Sequence, residues 1–300
     1  MSSLVISVPG KSFLAGEYLA LKEGPCLLMS SKPRFELLAQ NRAPGSMGEL
    51  SGIHPDSPAG SFVRTHADFF ANYDLHFQDP HRGRGGWGAS TAQFLTVYAL
   101  KLWPESKELE TLEPLSLSGL LESYWNHAWN GDGHRPSGSD LIAQYKGALT
   151  LFEKRSGLVS SFRWNFPDID FALIPTGQKL ATHEYLRALG EFDSSSIEVA
   201  MKLIHSSLQT YNPDDFVAGI RANADALQSL GLAAPKTQEL LDMYLEKPGV
   251  LAAKGCGAMG ADVILVVYSQ KQTSPRDVEH LAGYVGSKDL SPGLDIQVKE

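Results

Sequence analysis

Hydrophobic positions fall into two patterns along this chain. Short runs of β-branched and aliphatic residues predict strands, and longer stretches with apolar residues three to four apart predict helices. Residues 4–10 read as a strand stopped by Pro9-Gly10. Residues 16–31 read as two strands around a turn at Lys22–Pro25, and 34–40 as another strand. Residues 41–60, rich in Gly, Pro and Ser, read as a hairpin or surface loop, and 61–75 fits either pattern. Helices are predicted from residue 89 to Pro104, which ends the first, and over 117–129. A short helical turn then passes into a strand within 141–152. The chain changes character between Gly157 and Asp168. A buried-type strand at 170–177 is followed by helical segments at 182–190, 194–209, 213–230 and 236–246. A glycine loop with a strand (254–269), a helix (274–286) and a closing strand (293–299) complete the chain, with no internal repeat. The mixture predicts an α+β protein of two lobes, 1–160 and 161–300.

The net charge of −8 argues against a general binder of nucleic acid or anionic membrane, though not against a local basic pocket. Cys26 and Cys256 are the only cysteines, too few for a disulfide framework or a metal cluster, and a reducing cytoplasm fits them. No apolar run reaches the ~18 residues of a spanning helix. The first residues lack a basic segment followed by a long apolar one, so they are expected to open the fold itself.

Candidate chemistry lies in the glycine loops. Residues 83–88 hold Gly83, Gly85, Gly86 and Gly88 and run directly into the helix at 89. Glycines allow close backbone approach, and a helix N-terminus offers unpaired N–H groups, so this loop is a candidate phosphate cradle. Ser90 and Thr91 fall in the first turn, where a hydroxyl caps the helix or holds a magnesium ion beside a phosphate. The spacing fits neither the P-loop nor the Rossmann fingerprint. Lys11, just past the first strand, reads alone as a surface turn lysine. Asp140, after the turn 136–139, reads alone as an N-cap; a cation within ~4–6 Å would instead keep it ionised as a proton acceptor. The loop 254–262 reads alone as a tight hairpin turn.

Taken together and in this order, the loops resemble the signature motifs of the GHMP kinases. Pro9, Gly10, Lys11, Leu14, Gly16, Glu17 and Tyr18 match P-G-K-x-x-L-x-G-E-[YH]. The run 85–92 is similar to the G-x-G-S-S-A loop, with Ala89 for the first serine and Ser90 at the second. Lys254, Gly257, Ala258 and Gly260 keep the shape of K-x-[ST]-G-A-G-x-G-[GD], but Cys256 replaces Ser/Thr and Met259 a glycine. Pro136, Ser137, Gly138 and Asp140 look like the PSG-x-D turn that carries the family's base. Tyr18, Asp262 and the segment 174–186 lean toward the phosphomevalonate kinase branch, while the PSG-x-D turn speaks equally for mevalonate kinase.

The resemblance implies a two-lobed GHMP kinase fold, with an N-terminal lobe like domain 2 of ribosomal protein S5 and a ferredoxin-like C-terminal lobe. It implies transfer of the ATP γ-phosphoryl group to a small anionic metabolite, with phosphomevalonate the expected acceptor, and a monomer or homodimer. Asp140 and Lys11 would be catalytic. Gly85, Gly86, Trp87, Gly88, Ala89, Ser90, Thr91, Gly257 and Ala258 would bind nucleotide, and Ser90 would ligate Mg²⁺. Glu17, Tyr18, Ser137, Gly138 and Lys254 would bind the acceptor. Related mevalonate kinases carry a magnesium-binding glutamate about eleven residues before the base. Trp129 stands there in this chain, and Asp132 is a possible substitute. The alternatives are mevalonate kinase or another small-alcohol kinase of the family, and a non-catalytic nucleotide or metabolite sensor.

Overall fold

A computed structural model describes residues 3–42, 49–106, 116–177, 190–272 and 285–299. The chain begins with β1 (Ser3–Ala15), α1 (Glu17–Ala20), β2 (Pro25–Asn41), β3 (Leu50–Ser51), α2 (Pro58–Thr65), α3 (Ala67–Phe70) and β4 (Tyr73–Gln78). There follow α4 (Ala89–Ser106), α5 (Leu117–Ala128), α6 (Ser139–Lys146), β5 (Leu149–Glu153), β6 (Leu158–Phe162) and β7 (Ile169–Pro175). The remainder is α7 (Ser195–Thr210), α8 (Pro213–Ser229), α9 (Pro235–Leu245), β8 (Val250–Cys256), β9 (Val263–Ser269), β10 (Val285–Gly286) and β11 (Asp295–Lys299).

Two compact units are present: residues 1–11, 30–147 and 291–300 form the first, and 12–29 and 148–290 the second. The crossing at 147/148 is the one nearest the boundary expected at 160. Those at 11/12, 29/30 and 290/291 leave no mark in the hydrophobic pattern.

In the first unit the strand order is β11-β1-β2-β4-β3. β11 runs antiparallel to β1, from Ser3 opposite Lys299 to Ser7 opposite Asp295. β2 runs antiparallel to β4, from Glu36 opposite Gln78 to Asn41 opposite Tyr73. Helix α4 is buried on several sides through Ala92, Phe94, Leu95, Val97, Ala99 and Leu100, so it is a core helix rather than an amphipathic one. Ser57 caps α2 by accepting from the Gly60 N–H at 3.1 Å.

In the second unit the first half of β2 pairs antiparallel with β5, and β5 with β6. A separate antiparallel sheet has the order β10-β7-β9-β8. Its side chains alternate between two faces. Ala172, Ile174, Ala253, Ile264, Val266 and Tyr268 pack with Leu241 and Tyr244 of α9. On the other face Phe171 meets Trp164, which in turn meets Phe216 of α8. Asn212 caps α8 through the Asp214 and Asp215 N–H groups, with Pro213 at the first helical position.

Several expectations are corrected. β1 does not stop at Pro9-Gly10: the Pro9 carbonyl finds the Gln144 amide at 3.0 Å, and Gly10 leaves room for His81, which would stand 2.9 Å from a Cβ there. Residues 17–20, expected in a strand, form a turn of helix entered through Gly16 at φ 79. The strand expected at 34–40 is the second half of one long β2. Helix α4 runs two residues past Pro104. The helices expected at 182–190 and 274–286 lie almost wholly outside the described residues.

Candidate active site

In the first unit, β1 carries Lys11 into the interior, 6% exposed, rather than onto the surface. Its ammonium meets Asp140 Oδ2 at 2.7 Å. Asp140 is not an N-cap. Gly138 holds that place at φ 78, and Asp140 is the second residue of α6. Gly138 is required there twice over, because a Cβ would stand 2.2 Å from Leu121 Cδ2. The second carboxylate oxygen, Asp140 Oδ1, is buried and has no hydrogen-bond partner among the described residues. Such an atom points to a ligand or water that completes it. Tyr124 lies in the field of this carboxylate. Burial, and secondarily the Asp140 charge, push its phenol well above the ordinary range, so it stays neutral.

The glycine loop rests on Lys11. The Lys11 N–H donates to Trp87 O at 3.0 Å, and a Cβ on Gly88 (φ 79) would stand 2.8 Å from Lys11 Cε. Helix α4 starts at the next residue. The Ala92 N–H takes Gly88 O at 2.9 Å, leaving the amides of Ala89, Ser90 and Thr91 without a carbonyl in their own helix. Gly85 and Gly86 are half-buried and Ser90 is exposed. The Trp87 side chain points inward and stacks on His81 at 5.0 Å, so only its main chain is offered to a ligand. Thr91 is also turned inward, its hydroxyl 2.6 Å from Gln144 Oε1. Ser137 accepts the Ser139 N–H at 3.3 Å, and Trp125 Nε1 donates to Pro136 O at 2.8 Å, fixing the turn before Asp140. Trp129 Nε1 donates to the main-chain carbonyl of Asp132 at 2.9 Å, and both residues are exposed. Among the described residues no group of three His, Cys, Asp or Glu is placed to hold a metal.

Glu17, Tyr18, Lys254, Gly257 and Ala258 lie in the second unit. Lys254 is fully buried, its ammonium 2.6 Å from Glu17 Oε1 and 2.8 Å from Gly255 O. Neither head group faces solvent, since the Glu17 side chain is 7% exposed. The Tyr18 hydroxyl accepts the Met259 N–H at 2.9 Å and donates to Leu232 O at 3.4 Å. Met259 adopts the left-handed conformation (φ 55) that a glycine takes freely. Gly257 stays glycine at φ 88 because a Cβ would meet the Asp262 carboxylate at 2.3 Å. The stretch 254–262 is the end of β8 and the hairpin turn into β9, as its glycine content alone suggests.

Sequence reading passed over Gln144. It stands one helical turn beyond Asp140, fully buried, between the glycine loop and β1. The available signal was an amide inside an apolar run at i+4 from the carboxylate, which puts both on one helix face.

No family model matches the chain, and no curated protein does. Solved structures do. Phosphomevalonate kinase from Streptococcus pneumoniae aligns with a TM-score of 0.72 at 16% identity over 100% of both chains. Mevalonate kinase from Methanococcus jannaschii aligns at 0.70 and 13% identity, over 98% of this chain and 96% of that one. The pneumococcal enzyme in complex with phosphomevalonate and AMPPNP aligns at 0.68 and 14%, over 98% and 99%. The chain therefore has the two-lobed α+β fold of the GHMP kinases.

Proposed function

We propose that this chain is an ATP-dependent small-molecule kinase whose acceptor is phosphomevalonate. The observation that carries the reading is the Lys11–Asp140 pair at 2.7 Å, with one carboxylate oxygen buried and open, beside a glycine bend that starts a helix. A fold shared with kinases supports the class of reaction without fixing the acceptor.

The residues fit a nucleotide's phosphates. The amides of Ala89, Ser90 and Thr91 would bind phosphate oxygens, helped by the positive end of the α4 dipole. Bound ATP supplies the γ-phosphoryl group, and Mg²⁺ offsets its charge. The exposed Ser90 hydroxyl is a hard oxygen donor suited to Mg²⁺, and phosphate oxygens and water would complete the shell. Asp140 Oδ1 receives the proton of an acceptor hydroxyl, or accepts a hydrogen bond from the P–OH of a singly protonated acceptor phosphate and so orients it. Lys11 holds the other carboxylate oxygen and offsets the negative charge that gathers at the transferring group.

Release of ADP should be measured with mevalonate, phosphomevalonate, homoserine and galactose in turn, and phosphomevalonate is expected to give the highest kcat/KM. Lys11→Met and Asp140→Asn should each lower kcat about 10²-fold, as for groups worth ~3 kcal/mol in the transition state. Near-normal turnover in both variants would remove these roles. Binding of ATP with no turnover on any acceptor would mark a sensor instead.

A further inference from the structure

We infer that Gln144 is a positioning residue for phosphoryl transfer, fixing the start of α4 against the strand that carries Lys11. This rests on the kinase reading above. The Gln144 side chain has no exposed surface. Its Nε2 donates to Pro9 O at 3.0 Å and to Gly88 O at 3.1 Å, and its Oε1 accepts from the Thr91 hydroxyl at 2.6 Å. Each partner belongs to a different part of the site. Pro9 lies two residues before Lys11 on β1, Gly88 is the bend of the glycine loop, and Thr91 is in the first turn of α4. Gln144 itself is one turn along α6 from Asp140.

The chemistry permits little else at this position. The Pro9 and Gly88 carbonyls can only accept, so the amide nitrogen faces them and Oε1 faces the Thr91 hydroxyl, which also lies 3.0 Å from Gly88 O. A glutamate would turn an oxygen toward both carbonyls, and a methionine would leave both buried carbonyls without this donor. The Gly88 bend has no slack with which to adjust. A Cβ there would stand 3.1 Å from Gln144 Nε2 as well as against the Lys11 stem. Loss of the amide therefore shifts the α4 amides relative to Lys11 and Asp140 without removing any group that touches substrate.

The test uses the full chain with Gln144→Met, which keeps length and volume, and Thr91→Val, which removes the one hydroxyl proton that Gln144 Oε1 and Gly88 O share. Melting temperature, amide exchange over residues 86–92 without ligand, AMPPNP affinity and steady-state kinetics are measured at a temperature where all variants are folded. Gln144→Met should speed exchange over 86–92 and lower kcat/KM for ATP about 10²-fold, as expected when reacting groups are misplaced by about 1 Å. The KM for the acceptor should stay within about twofold, because uniform acceptor binding is untouched. Thr91→Val should lower the same kcat/KM about fivefold, the worth of one hydrogen bond, and add nothing in the Gln144→Met background. Faster exchange with kcat/KM within about twofold of wild type would overturn the inference, leaving a purely structural glutamine. Unchanged exchange would overturn it too. If the wild-type chain neither binds AMPPNP nor turns over, the kinase reading fails, and the exchange data still show whether Gln144 holds the loop.

Discussion

Lys254 and Cys256 sit two residues apart in β8, both fully buried, and each makes stability depend on pH. Burial pushes the Cys256 thiol up to about 11; the Lys254 ammonium pulls it back only partly, and Glu17 adds to the rise. The unfolded chain releases this proton near the ordinary 9.0 while the folded chain keeps it, so stability falls as pH rises from 9 to 11. Burial alone would lower the Lys254 pKa, but the charges of Cys256 and Glu17 outweigh it and the net shift is upward. A raised lysine contributes fully below its ordinary 10.5, and that contribution is lost as pH climbs through the higher folded value. The melting temperature should therefore decline from pH 9 upward. Cys256→Ser, whose hydroxyl does not titrate there, should flatten the curve between 9 and 11 and also shrink the Lys254 loss above it, because the Cys256 charge is the largest of the causes that raise Lys254.

At the scale of elements, α1 shows why part of the fold was not readable. Four residues cannot sustain a helix by propensity, and α1 depends on its surroundings. The Glu17–Lys254 pair and the Tyr18 hydroxyl link it to β8 and to the turn at Met259, hundreds of residues away in sequence. Tyr18→Phe should speed amide exchange at 258–260 and cost about 2 kcal/mol in denaturant unfolding, the worth of the hydroxyl's two hydrogen bonds. The long helices α5, α7, α8 and α9 were legible because each repeats its apolar face over several turns and each begins at a Ser, Asn or Pro signal. The Pro9-Gly10 signal misled because Gln144 and His81, far away in sequence, outvoted local punctuation. Lys11 and Asp140 were legible only through their motifs, since a lone lysine or aspartate carries no mark of being buried. Gln144 had no motif at all, and its role comes from three partners brought together by the fold.

Across the whole molecule, the chain's end returns to its beginning. β11 forms the outer neighbour of β1, and Arg34 on β2 ties the preceding turn down. Its guanidinium donates to Ser7 Oγ and Ser7 O, and to Ser291 Oγ, Pro292 O and Gly293 O, at 2.5 to 2.7 Å. Arg34→Met should cost about 3 kcal/mol, because it strips partners from several half-buried acceptors at once. Exchange should rise over 291–299, with the second unit's β7–β9 pairing unaffected.

That returning strand also orders events during synthesis. Residues 3–7, on the strand that carries Lys11, are made long before their partners, and that edge stays unpaired until residues 295–299 have been released. A chain lacking residues 295–299 would keep every signature loop and leave an open β-edge along residues 3–7, a ready template for self-association.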